Sequence, residues 1–182
     1  MISPAIKKVT VLLIMFFFLL AIYSFGITGS LFYDDFKPLG SLENVTDIYS
    51  ALFYVFTETS GPLGRPVSML TFLLHANHGP ENTEYIFFVN SLIHAFNALL
   101  VFVISYYLAS FYCKRFSIVS VKPFGLALLV AIFWAVLPIH VSSSLIAIQR
   151  MTTLSAFFVL SGIALYLYGL HKQYLVTYNI LL

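Results

Sequence analysis

The sequence predicts an all-α, polytopic integral membrane protein: a bundle of four transmembrane helices with amphipathic helices at the membrane interface. Three observations carry the prediction. Of the 182 residues, 60% are hydrophobic and 9% charged, and the mean hydropathy is +0.96. A soluble domain of this size has no use for so much apolar surface. Apolar runs recur at the roughly 20-residue length that crosses a bilayer as a helix. Charge is also segregated along the chain. All seven acidic residues (Asp34, Asp35, Glu43, Asp47, Glu58, Glu81 and Glu84) fall between positions 34 and 84, whereas Lys7, Lys8, Lys114, Arg115, Lys122 and Lys172 lie outside that stretch.

The spans are expected at about 9–27, 83–112, 123–140 and 152–170, so that residues 1–182 form a single transmembrane region. With these boundaries Lys7, Lys8, Lys114, Arg115, Lys122 and Lys172 all fall on one face, which the positive-inside rule assigns to the cytoplasm. The N-terminus is then cytoplasmic. The loop 28–82 and the short connection 141–151 face a periplasm or organelle lumen. The first apolar run is long for a signal peptide and no A-x-A site follows it, so it is kept as a span. After Lys172 the run "YLVTYNILL" reads as the start of a fifth span, and the chain is expected to be the amino-terminal portion of a longer protein.

The outer loop carries helical patterning of its own. In "SLENVTDIYSALFYVF", Leu42, Val45, Ile48, Tyr49, Leu52, Phe53 and Phe56 keep helical spacing, with Ser41 as the expected cap and Glu43 in the first turn. "TSGPLG" is expected to break this helix. Pro66 then opens "PVSMLTFLLHANH", which Gly79-Pro80 should end. Two such helices between spans are best accommodated lying on the outer membrane surface.

Several classes of function are excluded at this level. Cys113 is the only cysteine, which rules out an internal disulfide and a cysteine-rich metal site. No basic face is left over for nucleic acid. No H-E-x-x-H zinc motif, G-x-S-x-G elbow or phosphate-cradling glycine loop occurs. His75 and His78 have H-x-x-H spacing but no third ligand in sequence, so no metal site is assigned there.

The polar residues that remain are few. Asp34 and Asp35 stand side by side about seven residues beyond the first span, near headgroup depth. Adjacent like charges repel. They suit either a solvated turn at the helix exit or a general base, alone or with a cation ligand, working at the membrane surface. Arg65 and Arg150 are two of only three positive charges expected outside, Lys37 being the third. Arginine binds phosphate bidentately and keeps its charge at an interface, although a snorkelling side chain or a partner for loop carboxylates is equally consistent. Asn90, His94 and Asn97 share one face of the second span at i, i+4, i+7, as interhelical hydrogen bonds or a cavity lining would require. The segment "LPIHVSSSLIAIQRMTTLSAFF" (137–158) packs His140, Gln149 and Arg150 between two spans.

Four stretches in order carry a resemblance: "YDD" after the first span, "GRPVSMLTFLLH" in the outer loop, "NSLIHAFNALLVF" in the second span, and the 137–158 segment. Together they resemble the amino-terminal part of GT-C superfamily membrane glycosyltransferases. The chain is most similar to bacterial proteins related to protein O-mannosyltransferases, which often carry tetratricopeptide repeats, and pilin glycosyltransferases are a related possibility. The resemblance covers about residues 9–170. It implies transfer of a sugar, with inversion, from a polyprenyl-phosphate-linked donor to a protein or glycan hydroxyl on the extracytoplasmic face of a bacterial inner membrane. It also implies Asp34 and Asp35 as the catalytic carboxylates or as holders of a divalent cation. Arg65, Asn90, His94, His140, Gln149 and Arg150 become the substrate-binding set. The chain departs from the pattern at Leu137-Pro-Ile-His-Val-Ser142, where members of the eukaryotic type have H-P-I-H-T-E, so the role of that glutamate has no bearer here. Such enzymes also have many more spans than four. A different class of function fits the same features: a non-enzymatic four-span membrane subunit or scaffold whose loop docks a partner. A small transporter using the Asn90/His94/Asn97 stripe is disfavoured, because that span lacks helix-breaking Gly or Pro and the chain lacks inverted repeats.

Overall fold

The computed structural model describes residues 3–57, 65–78, 83–116 and 120–180, with the side chains of 76–78 and 174–180 excepted. Eight α-helices follow one another: α1 (Pro4–Ser24), α2 (Tyr33–Gly40), α3 (Ile48–Thr57), α4 (Pro66–Phe72), α5 (Thr83–Arg115), α6 (Pro123–Ala135), α7 (Ile139–Leu145) and α8 (Arg150–Ile180). Short 3-10 turns occupy Ser41–Asn44 and Leu73–His78. No strand occurs among the described residues, and the all-α class is as the composition predicts. α1, α5 and the Arg150–Gln173 part of α8 are each long and apolar enough to cross a membrane, and α6 with α7 makes a fourth span if the broken pair is counted as one. The protein is an integral membrane protein by this measure.

The boundaries differ from the sequence reading in three places, each for a local reason. The expected span 123–140 is broken, because α6 ends at Ala135 and α7 begins at Ile139. Pro138 lies in the gap, with no N–H to continue the ladder and a ring that disfavours helix in the preceding residue. The expected connection 141–151 therefore begins as helix. The helix expected from Ser41 onward starts later. Ser41 instead closes α2, its hydroxyl donating to the Pro38 carbonyl at 3.0 Å, and α3 is capped by Asp47. The Asp47 Oδ1 accepts the Ser50 N–H at 2.8 Å and the Ser50 hydroxyl at 2.7 Å, while the Thr46 and Asp47 N–H groups donate back to Ser50 Oγ, each at 3.0 Å. Finally, residues 174–180 continue α8 without interruption and do not open a fifth helix. The breaks expected at 59–64 and 79–80 lie outside the described residues, as does the His78 side chain.

The Asp47 cap gives a pH-dependent feature. The hydrogen bonds from Ser50 hold the Asp47 carboxyl below its ordinary value. Stabilisation by a depressed carboxyl is present above the unfolded-state pKa and is lost as pH falls through the folded-state value. The protection of the Ser50 and Ala51 amides, taken relative to their intrinsic exchange rate at each pH, is accordingly expected to be high at neutral pH and to fall on acidification. In Asp47→Ala it should be low at every pH, and an unchanged protection profile in that variant would remove the cap from the account of α3.

The chain folds as two compact units. One comprises residues 1–19, 94–137 and 155–182. Its α6 face is a row of alanines, Ala127, Ala131 and Ala135, all with no exposed surface. Small residues at this spacing let helices approach closely in lipid, where packing rather than hydrophobicity drives association. On α5, Ala95, Ala98, Phe102 and Ala109 are buried. Phe96 meets Phe16 of α1 at 5.2 Å, and Phe102 meets Phe124 of α6 at 5.3 Å. Val9, Leu13, Ile14, Phe17 and Phe18 of α1 remain exposed, as suits a lipid-facing helix.

The second unit comprises residues 20–93 and 138–154. Its core gathers Leu39, Leu42, Tyr54, Val55, Met69, Phe72, Ile86, Phe87, Ala147 and Met151. The Tyr54 hydroxyl donates to the Pro38 carbonyl at 3.0 Å, fastening α3 to α2. Gly26 lies against Leu145 of α7, so a Cβ there would require the leucine side chain to shift. The opposite faces of α3, α4 and the 3-10 turn after α4 are bare: Ile48, Tyr49, Phe53, Phe56, Leu70 and Leu74 are all exposed. This is the apolar pattern of interfacial helices.

Candidate functional site

The site is built where α2 meets the loop that leads into α8. Phe32 is the N-cap of α2, so Asp34 and Asp35 occupy its second and third positions, where carboxylates favour the helix dipole. Consecutive helical residues point about 100° apart, and the pair divides. Asp35 is fully buried. Its Oδ2 accepts the Phe32 N–H at 2.8 Å, the return half of a capping box, and its Oδ1 accepts the Ile148 N–H at 2.8 Å. It therefore ties α2 to the loop before α8. Asp34 is exposed and opens onto a groove of about 810 Å³ lined also by Tyr33, Phe36, Lys37, Arg65, Ile148, Gln149 and Thr152.

Each polar member of the groove is positioned locally. Arg65 precedes Pro66, the first residue of α4, and its carbonyl accepts the Met69 N–H at 3.0 Å. Its Nη1 rests on the Met151 sulfur at 2.6 Å, which leaves other guanidinium donors for a ligand. Gln149 Oε1 accepts the Thr152 hydroxyl at 2.8 Å, so the amide NH₂ is turned to donate elsewhere. One carboxylate, two cations and an amide thus converge on an open, aromatic-edged groove.

Arg150 does not line it. The side chain is fully buried, and its donors are used inside the protein. Nε donates to Asn90 Oδ1 at 2.7 Å, Nη2 to the Ile86 carbonyl at 3.0 Å, and Nη1 to the Thr71 carbonyl at 3.3 Å, with His75 Nε2 at 2.8 Å from the same nitrogen. The guanidinium also lies 4.3 Å from the Phe72 ring centroid, a cation–π distance. Among the described residues none of its hydrogen-bond partners is a carboxylate. Asn90 completes the arrangement, donating from Nδ2 to the Ile146 and Ala147 carbonyls at 3.0 and 3.4 Å. Arg150 and Asn90 therefore fix the 146–150 turn, and with it the Ile148–Gln149 wall of the groove.

The other sequence candidates lie elsewhere. His94 is buried, its Nε2 3.0 Å from the Ala135 carbonyl and its ring stacked on Trp134 at 5.2 Å. Asn97 is buried on the same face of α5. His140 is half-buried on α7 and does not line the groove. Of the eight predicted site residues, the groove brings together Asp34, Arg65 and Gln149, while Asp35, Asn90 and Arg150 shape it from beneath. Sequence reasoning missed Lys37, Thr152, Tyr33 and Phe36. The signal for Lys37 was present: one turn from Asp34 at i+3, it shares a helix face with it once α2 is seen as a helix. No cluster of three or more His, Cys, Asp or Glu suited to a metal ion occurs among the described residues. Both oxygens of Asp35 are engaged by backbone N–H groups, so Asp34 alone of the pair offers the groove a carboxylate. Comparison with protein-family models, curated proteins and solved structures finds no match to this chain.

Proposed function

We propose that the chain carries the donor-and-base groove of a membrane glycosyltransferase that moves a sugar from a polyprenyl-phosphate-linked donor to a protein or glycan hydroxyl outside the cytoplasm. The supporting observation is the placing of Asp34, Lys37 and Arg65 on one open groove. In this reading the Asp34 carboxylate takes the proton of the acceptor hydroxyl. The acceptor oxygen bonds to the anomeric carbon as the bond from that carbon to the phosphate oxygen breaks, inverting the configuration. The polyprenyl phosphate leaves with the bonding pair, and Arg65 and Lys37 neutralise its growing charge. Tyr33 and Phe36 offer apolar faces to the sugar. The bare sides of α3 and α4 rest in the outer interface, which keeps the groove at the depth of a lipid-linked phosphate.

The test is transfer of labelled sugar from a polyprenyl-phosphate donor to a hydroxyl acceptor by the protein in its own membranes. Arg65→Gln is expected to lower kcat/KM for the donor about 10- to 100-fold, and Arg65→Lys to recover part of it, because lysine keeps the charge but not the fork. No transfer from any polyprenyl-phosphate sugar, or an Arg65→Gln variant with unchanged kinetics, would overturn the reading.

A scaffold is the second reading, and one observation favours it. An apolar groove of about 300 Å³ lies between α3 and α4, walled by Leu52, Val55, Phe56, Val67 and Leu70. If docking a partner is the function, Leu52→Asp abolishes co-purification with that partner and Asp34→Asn leaves it intact.

A further inference from the structure

The far end of α5 carries a third groove, independent of the glycosyl-transfer reading. It has a volume of about 550 Å³ and lies between α5 and α8, with Leu108, Phe111, Leu167 and Leu170 as walls and Lys114 and Arg115 at the rim. The spacing is that of two facing helix stripes: Tyr107, Phe111 and Lys114 at i, i+4, i+7, and Leu167, Leu170 and His171 at i, i+3, i+4. The Tyr107 ring contacts the His171 ring at 5.3 Å and Tyr168 at 6.4 Å, bracing one side. Lys114 and Arg115 are exposed.

We propose that this groove binds one anionic glycerophospholipid, with Lys114 and Arg115 holding the phosphate and the acyl chains lying against the leucine and phenylalanine walls. A hollow between two apolar helices fills with lipid, so the question is which lipid. The charge decides it. Every acidic residue of the chain lies at or before Glu84, so none occurs in the sequence around Lys114 and Arg115 or in the stretch of α8 that lines the groove. A zwitterionic headgroup carries its own cation into this field, whereas an anionic one does not. Basic pockets between spanning helices recognise anionic headgroups in this way. Simple snorkelling would put the two cations on a smooth helix wall; here they stand over a recess.

Native mass spectrometry of the detergent-solubilised full chain tests the proposal, with phosphatidylglycerol and phosphatidylcholine of identical acyl chains as probes. One phosphatidylglycerol is expected to bind at least about tenfold more tightly than phosphatidylcholine. Lys114→Gln/Arg115→Gln should weaken phosphatidylglycerol about thirtyfold and erase the preference. The exchange Lys114→Arg/Arg115→Lys should retain it, and Leu167→Trp, which fills the hollow, should weaken both lipids alike, all with unchanged helix content by circular dichroism. Equal affinity for the two lipids, or a preference that survives loss of both cations, would overturn the proposal. So would a polyprenyl phosphate that outcompetes phosphatidylglycerol through the same two cations, since the groove would then serve the lipid carrier.

Discussion

Asp34→Asn is expected to lower sugar transfer by about 10²- to 10⁴-fold, the usual contribution of a general base, while the protein stays folded in the membrane. The substitution keeps size and shape and removes only the proton-accepting charge from the groove. No described residue donates to the Asp34 side chain, so the structural loss is confined to its interaction with the dipole of α2, about 0.3–1 kcal/mol. Asp35→Asn should behave in the opposite way. Its Oδ1 and Oδ2 both accept backbone N–H groups, and an amide can present an oxygen to only one of them. The other N–H, from Phe32 or Ile148, is left facing an NH₂ in a buried site. An unsatisfied buried donor costs about 1–3 kcal/mol. Activity of Asp35→Asn should therefore track its folded fraction, read as a lowered Tm. Full transfer by Asp34→Asn would sink the carboxylate mechanism. An inactive Asp35→Asn of unchanged Tm would move the base to the neighbouring residue.

Arg150→Ala is expected to destabilise the protein by about 3–5 kcal/mol, combining a cavity with stranded acceptors. Asn90 Oδ1 and His75 Nε2 lose their donor together, and the Ile86 and Thr71 carbonyls lose a second bond. Arg150→Lys should rescue only a fraction, because a single ammonium cannot reach partners spread around a planar fork. Arg150→Met tests which loss dominates: it fills the volume without donating, so recovery near wild type would assign the cost to packing. The measurement is thermal or SDS-induced unfolding in detergent. A change in stability below about 0.5 kcal/mol in Arg150→Ala would show that the buried hub is not what holds the loop before α8. Transfer should fall in the same variants, since Ile148 and Gln149 belong to that loop.

These two residues also show where the sequence was informative. Hydropathy and length alone locate α1, α5 and the apolar parts of α6 and α8 to within a few residues, because a bilayer imposes a length that composition reveals. The broken third span is only half visible: Pro138 marks the break, but "IHVSSSL" reads as a loop and is the helix α7. The Asp34/Asp35 pair is visible as a pair and not as two roles. Assigning one to solvent and the other to the interior needs the helix α2, and Pro38 within it argues against helix when read locally. Arg150 and Asn90 are 60 positions apart, and no spacing rule links them. An arginine next to an outer surface reads as a phosphate ligand, and only the burial shows it to be an anchor.

The buried arginine also fixes an order of events during synthesis. Its hydrogen-bond partners, at Thr71, His75, Ile86 and Asn90, precede it in the chain, as Asp35 precedes Ile148. At about 5–20 residues per second, Asn90 leaves the ribosome about 3–12 s before Arg150 follows. Throughout that interval the carbonyls and amide that await the guanidinium must be held by water, translocon or lipid headgroups. The arrival of Arg150 then engages four earlier residues at once, in α4, the turn after it and α5. A chain that has threaded any of them wrongly is left with a bare guanidinium at the mouth of the α8 span, a costly placement in lipid. The hydrogen bonds that hold the groove wall thus cannot form until Arg150 has been made.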